Sequence, residues 1–211
     1  MYRDAQITED VAQKVFDVLL RTISEPGKVL PLPNEIISKS LPLNLWLPLV
    51  LSDVDTTVHI GTADIDYQRL VFDASGAIPK ALPEAEIVVL DELNSGSISN
   101  LRTGTALAPE LGAKVALNVV KFKAEAGDAE NSVELELQGP GVNGIRDIQI
   151  TGLSLDVLNR LGTNSGTYPQ GFDAWLFSED GLVMSIPRTC LLYTSDAADE
   201  GLGVDLGGRR I

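Results

Sequence analysis

The sequence has few of the residues on which many catalytic sites and stapled folds depend. It contains one cysteine, Cys190, and one histidine, His59. An internal disulfide, a histidine pair and a zinc site built on several thiolates are therefore excluded. Long apolar runs are also lacking: the most apolar stretch, residues 41–51, contains two prolines and is shorter than the roughly 20 residues that a membrane-spanning helix needs. We expect this stretch to form a buried helix or turn, and we expect no membrane partner.

Positive charge is scarce as well. Sixteen Lys and Arg residues face thirty Asp and Glu residues, which gives a formal net charge of -14. Such a surface repels a phosphate backbone, so nucleic acid is not an expected partner. The N-terminal sequence MYRDAQITED has neither the basic region nor the apolar core of a secretory signal peptide. Together with the single cysteine, this predicts a cytoplasmic location.

The periodicity of the apolar residues predicts an α/β fold, with a single-domain mixed sheet flanked by helices. Residues 10–23 have the spacing of an amphipathic helix that Thr8 caps and that the sequence SEPG ends, and residues 153–161 form a second helix with Gly162 as a left-handed cap. Apolar or β-branched runs predict strands at residues 57–60, 69–72, 86–90, 113–120 and 133–137. We expect the last two to be a pair joined by a polar loop at residues 124–131. Residues 174–177 and 182–186 predict a hairpin, so the total is about seven or eight strands and two or three helices.

The ionisable side chains do not form a recognisable catalytic group. His59 lies inside a predicted strand, where a structural or surface role is more common than general-base chemistry. Asp64 with Asp66, and Glu84 with Glu86, are spaced so that each pair can face one side and bind a cation, but in a chain this acidic a solvated face is the better interpretation. We predict no catalytic, cofactor-binding or metal-binding residues.

Glycine-rich phosphate loops are also lacking. Residues 1–188 contain no GxxxxGK[ST], and the one GxGxxG spacing among them is GPGVNG at residues 139–144. Residues 139–144 have the glycine content of a ligand loop, but Pro140 removes an amide donor that phosphate recognition would use. A structural turn is the favoured interpretation of this segment.

The last segment, residues 190–211, differs in character from the rest of the chain. It has no sustained apolar period, and its glycines are scattered as in a linker. Its beginning, CLLYTSDAADE, and its end, VDLGGRRI, resemble the translation of a transposase sequencing adapter. We therefore interpret residues 1–189 as the domain and residues 190–211 as a non-native read-through tail that is exposed and makes few contacts. The alternative is a flexible native extension.

Five short blocks, in order, carry a resemblance to a known family. They are RTISEPG at residues 21–27, LRTGTALAPELGA at 101–113, QGPGVNGI at 138–145, YPQGFD at 168–173 and IPRT at 186–189. In this order and spacing they resemble the PhnH family, a component of the bacterial carbon-phosphorus lyase core complex, which acts in phosphonate catabolism. The resemblance extends from about residue 4 to residue 189.

The resemblance implies a fold akin to the large domain of pyridoxal-phosphate-dependent transferases, without the cofactor site. It also implies a homodimer that joins the G, I and J subunits of the core complex. In that setting the chain would be a non-catalytic subunit that supports synthesis of alpha-D-ribose 1-methylphosphonate 5-triphosphate, with no cofactor of its own. The alternative is a stand-alone protein that binds a phosphonate or nucleotide, or a transferase-like enzyme, with one deep pocket and converging polar groups.

Some residues of these blocks have more than one interpretation. The SEPG segment, residues 24–27, is explained by turn chemistry, with direct partner contact as the alternative. Arg102, Thr103 and Thr105 precede a predicted strand and are candidates for contact with a phosphate-bearing ligand. Arg188 is a candidate for a charged contact across an interface.

Overall fold

The computed structural model describes residues 7–37, 41–62, 64–91, 95–122 and 132–194. These residues form a mixed α/β structure. The strands are, in chain order, β1 (Leu30–Pro31), β2 (Thr57–Gly61), β3 (Ile78–Pro79), β4 (Ile87–Leu90), β5 (Lys114–Val119), β6 (Lys121–Phe122), β7 (Ser132–Gln138), β8 (Ile145–Thr151), β9 (Asp173–Ser178), β10 (Leu182–Ile186) and β11 (Leu191–Thr194). The helices are α1 (Glu9–Ser24), α2 (Asn34–Ile37), α3 (Trp46–Leu51), α4 (Ile65–Ser75), α5 (Ser95–Ser99) and α6 (Leu155–Thr163). Among these helices none has the length and apolar character needed to cross a membrane.

Seven strands form a large mixed sheet in the order β1-β10-β9-β5-β4-β2-β3. Strands β9, β5, β4, β2 and β3 are parallel to one another. At the other edge β10 is antiparallel to β9, and β1 is antiparallel to β10. All four residues of β4 are buried, as expected for a parallel strand covered on both faces. The other four strands form an antiparallel sheet in the order β11-β7-β8-β6.

Two hydrophobic cores lie on opposite faces of the large sheet. One core packs α1, α2, α3 and α4 against side chains such as Val58 and Val89. The other packs the small sheet, α5 and α6 against the alternate side chains of the same strands, such as Val88 and Leu117. The period-2 alternation along each strand therefore divides the apolar residues between two layers.

Most of the strongly periodic segments have the predicted structure. Helix α1 matches the helix expected at residues 10–23, and the Thr8 hydroxyl oxygen accepts a hydrogen bond from the Val11 amide at 3.3 Å. The apolar stretch at residues 41–51 is confirmed as buried helix and turn, and β9 and β10 form the expected hairpin. Glu134 is exposed while Leu135 and Leu137 are buried. The alternating residues 133–137 therefore have one solvent-facing side, as the pattern predicts.

The strand expected at residues 69–72 is wrong, because these residues lie within α4. The Asp64 side chain caps this helix by accepting hydrogen bonds from the Asp66 and Tyr67 amides, at 2.9 and 3.4 Å. Gly76 ends the helix in the left-handed region at a φ of 71°. The two caps decide the local structure, and they also give Asp64 a structural role.

The expected mixed sheet flanked by helices is confirmed, but the strands form two sheets rather than one. The predicted pair at residues 113–120 and 133–137 does not form, because β5 belongs to the large sheet and β7 to the small one. Strand β7 pairs instead with β8, which the sequence patterns did not predict, and with β11. The polar loop expected at residues 124–131 lies outside the described residues.

Gly162 is not the predicted left-handed cap. It lies inside α6, which continues to Thr163. A Cβ at this position would lie 2.8 Å from the Leu192 carbonyl oxygen of β11. The glycine is explained by close helix-strand packing rather than by a turn.

The prediction that an exposed tail begins at residue 190 is wrong for residues 190–194. Leu191–Thr194 pairs as β11 with the edge of β7, and the Cys190 and Leu192 side chains are buried while Leu191 is half-exposed. This arrangement satisfies backbone groups that β7 would otherwise leave unpaired at a sheet edge. The remaining residues, 195–211, lie outside the described residues, and the non-native origin of this segment stays a prediction.

Candidate functional site

Three of the five sequence blocks meet at one ion pair. The Arg188 guanidinium donates to both carboxylate oxygens of Asp173, with Nε–Oδ1 at 3.2 Å and Nη2–Oδ2 at 2.6 Å, and the Arg188 amide donates to Oδ1 at 3.0 Å. Nη1 also donates to the Pro109 carbonyl oxygen. The two side chains are 11% and 19% exposed, so the pair is mostly shielded from water. Arg188 therefore joins the IPRT, YPQGFD and LRTGTALAPELGA blocks.

Backbone contacts reinforce this junction. The Gly171 amide donates to the Thr103 carbonyl oxygen at 2.8 Å, and the Asp173 amide donates to the Ala113 carbonyl oxygen at 2.9 Å. A Cβ on Gly112 would overlap the Gly171 carbonyl oxygen, so only glycine allows the two segments to approach this closely. The two segments are therefore packed backbone against backbone.

Asn164 is a member of this junction that the sequence patterns did not predict. Its buried side chain donates to the Phe172 carbonyl oxygen at 2.6 Å and accepts from the Phe172 amide at 3.0 Å. Because the donor and the acceptor of this buried side-chain amide are both hydrogen-bonded, Asn164 fixes the backbone of Phe172, the residue before β9. The only sequence signal was a polar residue directly after a helix.

Above the junction lies a short loop, residues 104–111, which we call the Leu107 loop. Its tip is closed by reciprocal backbone hydrogen bonds between Thr105 and Ala108, each 3.2 Å long, and the Thr105 hydroxyl also accepts from the Ala108 amide at 3.0 Å. The Gln170 side chain donates to the Gly104 carbonyl oxygen at 3.3 Å. The Leu107 side chain, at the tip, is 98% exposed.

The other two blocks meet at a second junction. The Arg146 guanidinium donates to the carbonyl oxygens of Glu25, at 3.2 Å, and of Pro26. Gly141 lies directly against the Ser24 carbonyl. Lys28 lies 2.7 Å from Glu25, and its hydrogen bond lowers the pKa of that carboxyl group. The SEPG and QGPG turns therefore pack against each other. This contact agrees with the interpretation of both segments as structural turns.

The three polar residues singled out in the longest block have three different roles. Arg102 Nη1 lies 3.6 Å from Glu86 Oε1 in an ion pair. Thr103 pairs with Gly112 in a single antiparallel β-bridge outside the named strands. Thr105 closes the tip of the Leu107 loop. Within the chain the Arg188 guanidinium is bound to Asp173 and Pro109, and its contact across an interface stays a prediction.

The remaining ionisable residues do not converge. His59 Nδ1 lies 3.1 Å from the Lys80 carbonyl oxygen, a structural contact, and Lys80 itself pairs with Glu84 at 3.3 Å. No group of three or more His, Cys, Asp or Glu side chains suited to a metal ion occurs among the residues that the structure describes. Asp64 and Asp66 are exposed, in agreement with the solvated face expected for this pair, and the Asp64 carboxylate caps α4. Glu84 pairs with Lys80, and Glu86 pairs with Arg102.

A cleft of about 310 Å³ opens at the carboxyl ends of β5 and β9. Its lining is apolar except for Asn118, Ser178 and Glu179. Ser178 is occupied in the turn that follows β9, where its hydroxyl donates to Asp180 and accepts from the Leu182 amide at 3.1 Å. None of the residues from the five blocks lines this cleft.

Comparison with known proteins agrees with the geometry of the two junctions. A comparison with curated proteins finds no match. The model of a protein family described as bacterial phosphonate metabolism protein (PhnH) matches residues 5–192. This range contains all five blocks, both junctions and the first residues of β11. The chain therefore belongs to the PhnH family, which acts in bacterial phosphonate metabolism.

Proposed function

We propose that the chain is a non-catalytic structural subunit of the carbon-phosphorus lyase core complex. In this role it supports the synthesis of alpha-D-ribose 1-methylphosphonate 5-triphosphate during organic phosphonate catabolism. The observation that carries the proposal is the use of the family blocks: their charged residues bind one another, as Arg188 binds Asp173, while the block at 101–113 exposes an apolar side chain, Leu107. This is the pattern of a scaffold that offers surface rather than reactive groups.

The proposal includes the partners and location that the resemblance implies. The chain would form a homodimer and join the G, I and J subunits in the cytoplasm, without nucleic acid and without a cofactor. Its architecture would be related to the large domain of pyridoxal-phosphate-dependent transferases. The parallel strands β2, β4, β5 and β9 are compatible with that relationship.

A stand-alone small-molecule binding protein is the second candidate, and the cleft at β5 and β9 is the observation in its favour. Its volume is at the lower limit for ligand pockets, which span roughly 300–1,000 Å³. Its polar groups are few, and its single carboxylate, Glu179, would repel a phosphonate or a nucleotide. The cleft therefore supports this candidate less well than the exposed surface supports a subunit.

Co-expression with the G, I and J subunits, followed by size-exclusion chromatography, separates the two candidates. A subunit should elute with the other three in one peak. Calorimetric titration of the isolated chain with methylphosphonate and with ATP is the second arm. Separate elution together with saturable binding of either compound would replace the proposal with the small-molecule candidate.

A further inference from the structure

We infer that the Leu107 loop and Tyr168, which lies on a segment hydrogen-bonded to residues 103 and 104, are a preformed docking knob for a different protein chain, one that offers an apolar socket bordered by basic side chains. This inference rests on the proposed function and names the surface through which the chain would join a partner. The side chains that would enter the socket are Leu107, Leu111 and Tyr168.

The first argument is exposure. Leu107, Leu111 and Tyr168 are 98%, 38% and 65% exposed. The segments that carry them are tied together, because Gln170 donates to the Gly104 carbonyl oxygen and the Gly171 amide donates to the Thr103 carbonyl oxygen. Single exposed apolar residues are common, but a group carried by two linked segments is typical of a recognition surface.

The second argument is rigidity. The tip of the loop is closed by the hydrogen bonds between Thr105 and Ala108, and its far end is held where Arg188 donates to the Pro109 carbonyl oxygen. Arg188 is in turn fixed by Asp173. A contact side chain on a fixed backbone loses little conformational entropy on binding, so a small apolar knob can contribute a large share of the affinity.

The third argument concerns the charge of the partner. Glu110 is the one ionisable residue of the Leu107 loop, and it is exposed. The chain as a whole has a formal charge of -14. Two copies meeting through this surface would bring like charges together, whereas a partner with basic residues around the socket would be attracted. The occupant is therefore a different, locally basic chain and not a second copy.

The test uses the full chain co-expressed with the G, I and J subunits. Leu107→Asp is compared with the wild type and with Ile65→Asp, a matched control at a side chain that is 66% exposed at the start of α4. We expect Leu107→Asp to weaken binding at least about tenfold, as for a hot-spot residue, and Ile65→Asp to leave it unchanged. Glu110→Lys should weaken binding most at low salt, because it reverses a charge at the rim.

The possible outcomes distinguish this inference from the proposed function. Failure of the wild-type chain to co-elute would remove both. Co-elution of the wild type and of Leu107→Asp with equal affinity would overturn the knob alone, and so would an equal loss in Leu107→Asp and Ile65→Asp. Sedimentation of the isolated variants is the final control: loss of a wild-type dimer in Leu107→Asp would show that a second copy, and not a different chain, occupies this surface. Thermal melting should be unchanged in Leu107→Asp, because the replaced side chain contacts almost nothing.

Discussion

Replacing Arg188 with methionine should destabilise the protein substantially, although this residue belongs to no catalytic group. Methionine keeps an apolar stem of similar length but removes the donors to both oxygens of Asp173 and to the Pro109 carbonyl. The Asp173 carboxylate then keeps the Arg188 amide donor and loses its counter-charge. The cost therefore includes a carboxylate left largely without compensation at a site that is mostly shielded from water.

The magnitude follows from the shielding of the pair. Removing one partner of a fully buried pair costs about 3–5 kcal/mol. Because Arg188 and Asp173 are 11% and 19% exposed, we expect about 2–4 kcal/mol for Arg188→Met. For a chain of this length each kcal/mol lowers the melting temperature by about 2–4 °C, so the melting temperature should fall by roughly 4–16 °C. Arg188→Lys keeps the positive charge but not the bidentate hydrogen bonding to Asp173. It should lower the free energy of unfolding by about half as much as Arg188→Met.

Urea unfolding followed by circular dichroism measures the free energy directly. Arg69→Met, at an exposed position on α4, is the matched control and should change the free energy of unfolding by less than about 0.5 kcal/mol. A double-mutant cycle with Asp173→Asn should give a coupling energy above about 1 kcal/mol. If Arg188→Met melts within about 1 °C of the wild type, or if the two substitutions are additive, the junction does not hold the three blocks together.

Three further predictions test other parts of the structure. Burial raises the pKa of the Cys190 thiol, so a disulfide reagent should react with the folded chain at least about tenfold more slowly than in denaturant; immediate reaction would mean that β11 does not form. Gly162→Ala should lower the free energy of unfolding by about 1 kcal/mol, although alanine favours helix, because the new Cβ would lie 2.8 Å from the Leu192 carbonyl oxygen; a gain in urea midpoint would refute the close packing. Hydrogen bonds from Thr56 and the Asp55 amide lower the pKa of Asp53, so its stabilisation is present above the unfolded pKa near 3.9 and is lost as the pH falls through the lower folded value. The melting temperatures of the wild type and Asp53→Asn should therefore converge below about pH 4, and a constant difference down to about pH 2 would contradict this linkage.

The sequence predicted those elements whose local and tertiary preferences agree. Helix α1 has a cap at Thr8, an apolar stripe and a clear end at the SEPG turn, so its bounds were predictable to within a residue or two. Helix α4 lacked a strong stripe, with Val71 its one buried residue, and its apolar run suggested a strand. Its caps, Asp64 and Gly76, were the local signal that would have corrected the prediction.

Elements that depend on distant partners were not predictable in this way. Strand β11 is short, and it exists because β7 offers an unpaired edge, which no feature of residues 190–194 reveals. The division of the strands into two sheets is likewise a property of pairing and not of local pattern. The role of Gly162 was mistaken for the same reason, since the carbonyl that requires it lies in β11.

The blocks identified the family, but not how their residues interact. Arg188 and Asp173 are 15 residues apart in the chain, and Pro109 is 79 residues from Arg188, so no spacing rule links them. The ion pair forms because the parallel pairing of β5 and β9 brings these segments side by side, which the sequence alone does not show. The absence of a catalytic constellation, predicted from the scarcity of histidine and cysteine, stays a prediction that binding and activity measurements can test.

Sedimentation velocity of the purified chain, titrated with a purified assembly of the G, I and J subunits, tests the central claim most directly. A structural subunit should move entirely into a heavier boundary and saturate at a fixed ratio of chain to assembly. A chain that sediments at its own rate at every ratio, up to concentrations well above micromolar, would contradict the account.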